Sequence, residues 1–405
     1  MTTSATTARP RPTLTVLRAA RLFDGSGALP DPTVIIDGAV ILAAGHGLPV
    51  PDGAHVIDLP GATILPGLVD GHVHLVFDAS DDPAGRLAER DDAAVFAAAA
   101  SAARTAARGG VTTVRDLGDR GYLVLGLRDA ARTDTTLPHI LAAGPPITTP
   151  GGHCHFLGAS AAGADGIRDA VRERAYRGVD IIKIMASGGN MTPGSRSELA
   201  QYTRGELRAA VTEAHRHGLA ITAHAHGTSA ITDAVAAGLD GLEHATFMTA
   251  DGVGEIPGEL LAALGRGGPV LSLTFGIAAA PGAAPPAGVL ARMPALLANA
   301  RRMCHAGARI IVGSDAGVGP AKPPDAVRYA LPQLQQIGMS PAEALHACTA
   351  RAASALGLGD RKGRIAPGYD ADILVVNGNP LTDPAAIHQI RAVYLRGTPL
   401  PDATP

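Results

Sequence analysis

Through the middle of the chain, short apolar runs alternate with longer Ala-rich stretches. Runs near 66–74, 111–116, 138–144, 180–187, 219–225, 239–245, 269–274 and 309–315 read as eight strands. The stretches between them read as helices with recognisable ends. One over 84–108 stops at Gly109-Gly110, and Thr203 with Glu206 and Ser340 with Glu343 form capping boxes. Eight strand–helix units predict a parallel sheet, and no Gly-rich phosphate turn marks an open doubly wound fold. The expected architecture is therefore α/β, a (β/α)8 TIM barrel over 63–361. The ends have a different texture, short β-like runs broken by DGSG and NGNP. Residues 13–62 and 362–400 are expected to pair into one small β-sandwich domain beside the barrel.

Composition narrows the class. With 405 residues, 46% of them hydrophobic, the chain can fill a barrel of about 250 residues and a smaller domain. Lys+Arg 34 against Asp+Glu 37 gives a net charge of −3 with no basic stripe, so neither nucleic acid nor a membrane surface is an expected partner. Three cysteines without CxxC spacing imply neither a disulfide framework nor a thiolate zinc site. No leader-like or membrane-spanning apolar run is found, and a cytoplasmic setting is expected.

In a barrel, chemistry sits at the carboxyl ends of the strands. Strand one ends in His72-Val73-His74, strand four carries Lys183, strand five His224, strand six His244, and strand eight ends in Asp315. Residues i and i+2 of a strand face the same way, so His72 and His74 can hold one metal. Imidazoles with a carboxylate suit zinc first, with manganese, iron or cobalt as alternatives. Lys183 lies inside the apolar run DIIKIMAS, where an unpaired ammonium costs several kcal/mol, so it should be paired, neutralised or modified. Singly, His224 and His244 are more often satisfied core histidines, and Asp315 could be only a strand cap. Their common placement at one end of successive strands favours a site. The segment AHAHG offers both His224 and His226 on one face. His153 and His155 in GGHCHFLG and Tyr202 in QYT should lie over the mouth; His153 and Tyr202 are expected to bind the substrate carbonyl, and His155 the substrate.

The stretches GATILPGLVDGHVHL and KGRIAPGYDADILVV, near the two ends, resemble the amidohydrolase superfamily. DIIKIMASGGNMTPGS, QYTRGELRAAVTEAHRHGLAITAHAHG and GLEHATFM are most similar to its imidazolonepropionase-like branch, which includes Xaa-Pro dipeptidases (prolidases). The resemblance implies two divalent metal ions and a Lys183 carboxylated by CO2 to a bridging carbamate. It implies His72, His74 and Asp315 on the first ion and His224 and His244 on the second, with His226 one step further out as a substrate contact. The implied reaction is hydrolysis of an amide C–N bond, in an Xaa-Pro-like dipeptide, N-acyl amino acid or other small molecule, by a metal-bridging hydroxide. Asp315 would take the proton and return it to the leaving nitrogen. The alternative is an imidazolonepropionase proper or a deaminase with a mononuclear site. Lys183 speaks against it, as does the lack of an acid in HAHGTSAI. Homo-oligomerisation is left open.

Overall fold

The computed structural model describes residues 14–158, 160–278 and 284–401. Eight strands appear where the apolar runs predict them: β1 (Leu68–Val73), β2 (Val111–Asp116), β3 (His139–Ala142), β4 (Ile182–Met185), β5 (Ile221–Gly227), β6 (Gly241–Thr249), β7 (Val270–Leu273) and β8 (Arg309–Val312). β1, β2 and β3 pair in parallel, and so do β4 through β8, each with the next in sequence. Two isolated parallel bridges link the sets: Ile147 beside Ile184, and Val73 beside Ala316. Strand β8 thereby leads back to β1. Every residue of β1, β2 and β4 is buried, as expected of parallel strands covered on both faces.

Helices fill the connections and bury stripes of small residues. Asp92–Arg108 turns Ala99, Ala103, Ala106 and Ala107 inward, a helical spacing, and caps at Gly109. The single helix expected over 84–108 is instead two, Pro83–Ala88 and Asp92–Arg108. Asp91 restarts the second by accepting from the Ala94 amide, as an N-cap should. Both predicted capping boxes form, at Thr203–Glu206 and Ser340–Glu343. Among the described residues, no helix is long and apolar enough to cross a membrane.

The chain ends share one eight-stranded mixed sheet. His55–Pro66 runs parallel to Thr15–Phe23 and antiparallel to Ile373–Asn377, so N- and C-terminal segments interleave. The far edge folds back: the Ile41 amide donates to Tyr369 O and the Ala371 amide to Ala39 O, both at 2.8 Å. Leu17, Val34, Ile64, Ile373 and Val375 form a core separate from that under the eight parallel strands. The strand His55–Pro66 continues past the expected boundary at 62, and Gly67 separates it from β1.

Candidate metal centre

At the carboxyl ends of the parallel strands, two groups of three side chains converge. One is His72, His74 and Asp315; the other is His224, His226 and His244. In the first, His72 Nε2 lies 3.2 Å from His74 Nε2, and Asp315 Oδ1 is 3.5 and 3.4 Å from those nitrogens. A point equidistant from three atoms so spaced is about 2 Å from each, the bond length of zinc to imidazole nitrogen or carboxylate oxygen. The groups adjoin, with His72 and His244 rings 5.3 Å apart between centroids.

Local backbone geometry aims these side chains. Asp315 lies three residues beyond β8, and its amide donates to His72 O at 2.7 Å, tying it to β1. Asp315 (φ 61) and His244 (φ 68) both take the left-handed conformation, a local strain of about 1–3 kcal/mol each that clusters at functional sites. Gly313 lets the backbone close in: a Cβ there would lie 2.4 Å from His72 Cβ.

The second nitrogen of each histidine also lies beside an oxygen. His74 Nδ1 lies 3.0 Å from Gly118 O and His224 Nε2 3.0 Å from Gly188 O. A carbonyl only accepts, so those nitrogens carry the protons, and His74 Nε2 and His224 Nδ1 present bare lone pairs. His72 Nδ1 faces Glu243 Oε2 at 3.0 Å, His244 Nδ1 faces Thr274 Oγ1 at 3.4 Å, and His226 Nδ1 faces Thr246 Oγ1 at 2.7 Å. Imidazoles oriented through the other ring nitrogen are the arrangement metal-binding histidines adopt.

The electrostatics fit a cation. Burial, joined by the neighbouring histidines, holds His224 and His244 well below the usual imidazole range. Burial and the Lys183 charge bring His72 down to about 4. For His74 burial acts downward, but Asp315 outweighs it and raises the pKa. Burial alone would raise Asp315, yet His72 and His74 hold it well below the usual carboxylate range. Lys183, on β4, is 1% exposed, and burial pushes its ammonium down against the pull of Glu243 and Asp315. The downward shifts at His72, His224 and His244 and the ionised Asp315 favour the protonation states that metal ligation requires, while His74 is biased the other way by Asp315.

The residues expected over the mouth separate. His153 is buried against His224, ring centroids 4.7 Å apart, and its Nδ1 has no hydrogen-bond partner among the described residues. Tyr202 corrects the expectation: its side chain is 3% exposed and its hydroxyl donates to Ala161 O at 2.9 Å, so its donor is spent inside the core. His155 is exposed, with its Nδ1 turned to Gly152 O at 3.0 Å and its ring against Phe156, away from the other histidines. His226 packs on His244 at 4.5 Å, as close as His224 does at 4.6 Å, so both strand-five histidines belong to the cluster.

Among the buried charged groups that escaped the sequence reading, Glu243, Arg115 and Asp70 brace the site. Glu243 Oε1 accepts from Thr222 Oγ1 at 2.7 Å and Arg115 Nη2 at 3.2 Å, while Arg115 Nε donates to Gly71 O. Asp70 accepts from the His72 and Ser314 amides and the Ser314 hydroxyl, locking β1 to the segment that carries Asp315. The signal was present: a charge inside a strand-like run, as Asp70 in GLVDGHVHL, Arg115 in VTTVRD and Glu243 in GLEH, poses the same question as Lys183.

Parallel strands in sequential order, with a histidine-rich cluster at their carboxyl ends, define an α/β fold whose polar residues gather where such folds place their chemistry. The chain belongs to the amidohydrolase family, whose model matches residues 63–400. It is similar to ochratoxinase of Aspergillus niger, with 27% identity over 424 residues, covering 94% of this chain and 84% of that protein. Imidazolonepropionase of Deinococcus radiodurans is 27% identical over 409 residues, covering 91% and 92% respectively. The crystal structure of a Xaa-Pro dipeptidase with bound methionine superimposes with a TM-score of 0.83 at 27% identity, covering 96% of this chain and all of that one.

Proposed function

We propose that this chain is a metal-dependent hydrolase that cleaves an amide C–N bond at the joined histidine clusters. The observation that carries the reading is the His72–His74–Asp315 triangle, sized for one ion, beside a second histidine group and the buried Lys183. His72, His74 and Asp315 would hold one divalent ion, zinc in the first instance, and His224 and His244 a second, with carboxylated Lys183 between them. Such ions polarise an amide carbonyl and lower the pKa of bound water. Asp315 would hold and move the proton toward the leaving nitrogen, and His153, buried beside His224, would meet the carbonyl oxygen. Ochratoxinase, imidazolonepropionase and Xaa-Pro dipeptidase among the relatives support amide chemistry. The pairing order supports a closed (β/α)8 barrel over 63–361, and the single mixed sheet shared by the two chain ends supports a small β-domain from 13–62 and 362–400 without itself supplying the second sheet of a sandwich. The free cysteines Cys154, Cys304 and Cys348 support a cytoplasmic setting.

The test is metal content joined to turnover. Purified protein should hold close to two divalent ions per chain and hydrolyse members of a dipeptide and N-acyl amino acid library, and chelation should abolish both. One ion with full activity would favour a mononuclear centre.

A further inference from the structure

Beside the metal centre lies a cavity of about 750 Å³, in the size range of pockets that enclose drug-sized ligands. His244, at the end of β6, forms part of its wall, so the cavity opens onto the cluster. Leu273 and Phe275 from the end of β7, and Met293, Leu297 and Met303 from the helix Ala287–His305, supply much of the rest. Two of its polar side chains, Lys322 and Gln333, are turned to the backbone around it. Lys322 Nζ donates to Thr274 O at 2.8 Å and approaches Phe275 O at 3.4 Å. Gln333 Oε1 accepts from the Gly276 amide at 2.8 Å, and its Nε2 donates to Ile277 O at 3.3 Å. No aspartate, glutamate or arginine is among the described residues that line it.

With the Lys322 amine directed at the Thr274 and Phe275 carbonyls and the rest of the wall mostly apolar, a charged or strongly polar occupant finds little to offset its desolvation. We propose that the cavity takes a bulky, neutral, apolar group of the substrate, aromatic or branched aliphatic, attached next to the scissile amide. The assignment rests on the amide-hydrolase reading above and narrows it: the substrate class is a large apolar amide, not a small polar dipeptide or a compact charged ring.

Two substrate series test it on the metal-loaded protein. One lengthens the acyl group from acetyl to octanoyl on a constant amine, and the other lengthens the amine substituent on a constant acyl group. In one series kcat/KM should rise about fourfold per methylene until the cavity fills. Leu297→Trp should flatten that rise, with a loss that grows with chain length and reaches tenfold or more for the longest member. Met293→Trp is the second variant should the first fail to fold. Binding of n-alkanols of the same lengths, followed by the melting temperature, reads the cavity without catalysis and should show the same length dependence. Flat series in both readouts overturn the proposal. So does a preference for substrates bearing a free carboxylate that Lys322→Met abolishes. Length-dependent alkanol binding that Leu297→Trp removes, with no amide hydrolysed, would leave the cavity assignment standing and sink the amide-hydrolase reading.

Discussion

Glu243 Oε2 lies 3.0 Å from His72 Nδ1, joining a carboxylate on β6 to the first histidine of β1. Burial would raise the Glu243 pKa, but His72 and Arg115 hold it well below the usual range, so it is an anion pinned between an imidazole and a guanidinium. It lies on the far side of the His72 ring from the edge whose Nε2 faces His74 and Asp315.

Glu243→Gln keeps the shape and removes the charge. Metal affinity should fall roughly 10–100-fold, the usual cost of losing such an orienting partner. Competition with a chromogenic chelator measures it, with the melting temperature of the metal-free variant reporting the unpaired Arg115. Wild-type affinity in Glu243→Gln would show that His72 needs no help from this carboxylate.

Lys183→Ala removes the only amine on β4, a strand whose residues are all buried. Metal content should drop together with turnover, and a short carboxylic acid added to the variant should restore part of both by occupying the vacated position. Full metal content and full rate in the variant would make Lys183 a structural residue.

Asp315 and Tyr202 should separate chemistry from scaffold. Asp315→Asn should lower kcat by at least roughly 10²–10⁴-fold, the range for loss of a general base. Tyr202→Phe should leave kcat and KM unchanged and cost about 1 kcal/mol of stability, since it deletes one buried hydrogen bond to Ala161 O. Steady-state kinetics and thermal unfolding decide; a kinetic defect in Tyr202→Phe would return the tyrosine to the site.

His153 predicts a pH dependence of the metal-free fold. Burial, followed by the charges of His226 and Lys183, lowers its pKa to about 3, against about 6.5 in an unfolded chain. The native state therefore excludes a proton that the unfolded state binds. Its contribution is present above pH 6.5 and is lost as the pH falls toward 3, at up to about 1.4 kcal/mol per pH unit. His153→Gln removes this term, so the stability difference between wild type and variant should shift in favour of the variant as the pH falls from 6.5 to 4. Chemical denaturation across that window measures it, and a pH-independent difference would mean that His153 titrates normally.

Much of the site was legible in the sequence because strand periodicity is local. HxH in a strand puts two imidazoles on one face, and Lys183, His224, His244 and Asp315 lie within or just beyond later strands whatever the rest of the connections do. The eight strands and both capping boxes follow from contacts within a few residues. What the tertiary structure decided lies across elements. Tyr202 reads as a mouth residue by its position before a helix, yet its hydroxyl is turned to Ala161, 41 residues away in sequence. His226 and His224 share a strand face, and only the packing of β6 brings both against His244. Asp70 locks β1 to Ser314, 244 residues on, and Glu243 reaches back to Arg115 and His72. The apolar cavity exists only where the ends of β6 and β7 face the helix Ala287–His305. Periodicity determines which face a side chain leaves from, whereas the partner it meets depends on how distant segments close around one another, which no local pattern encodes.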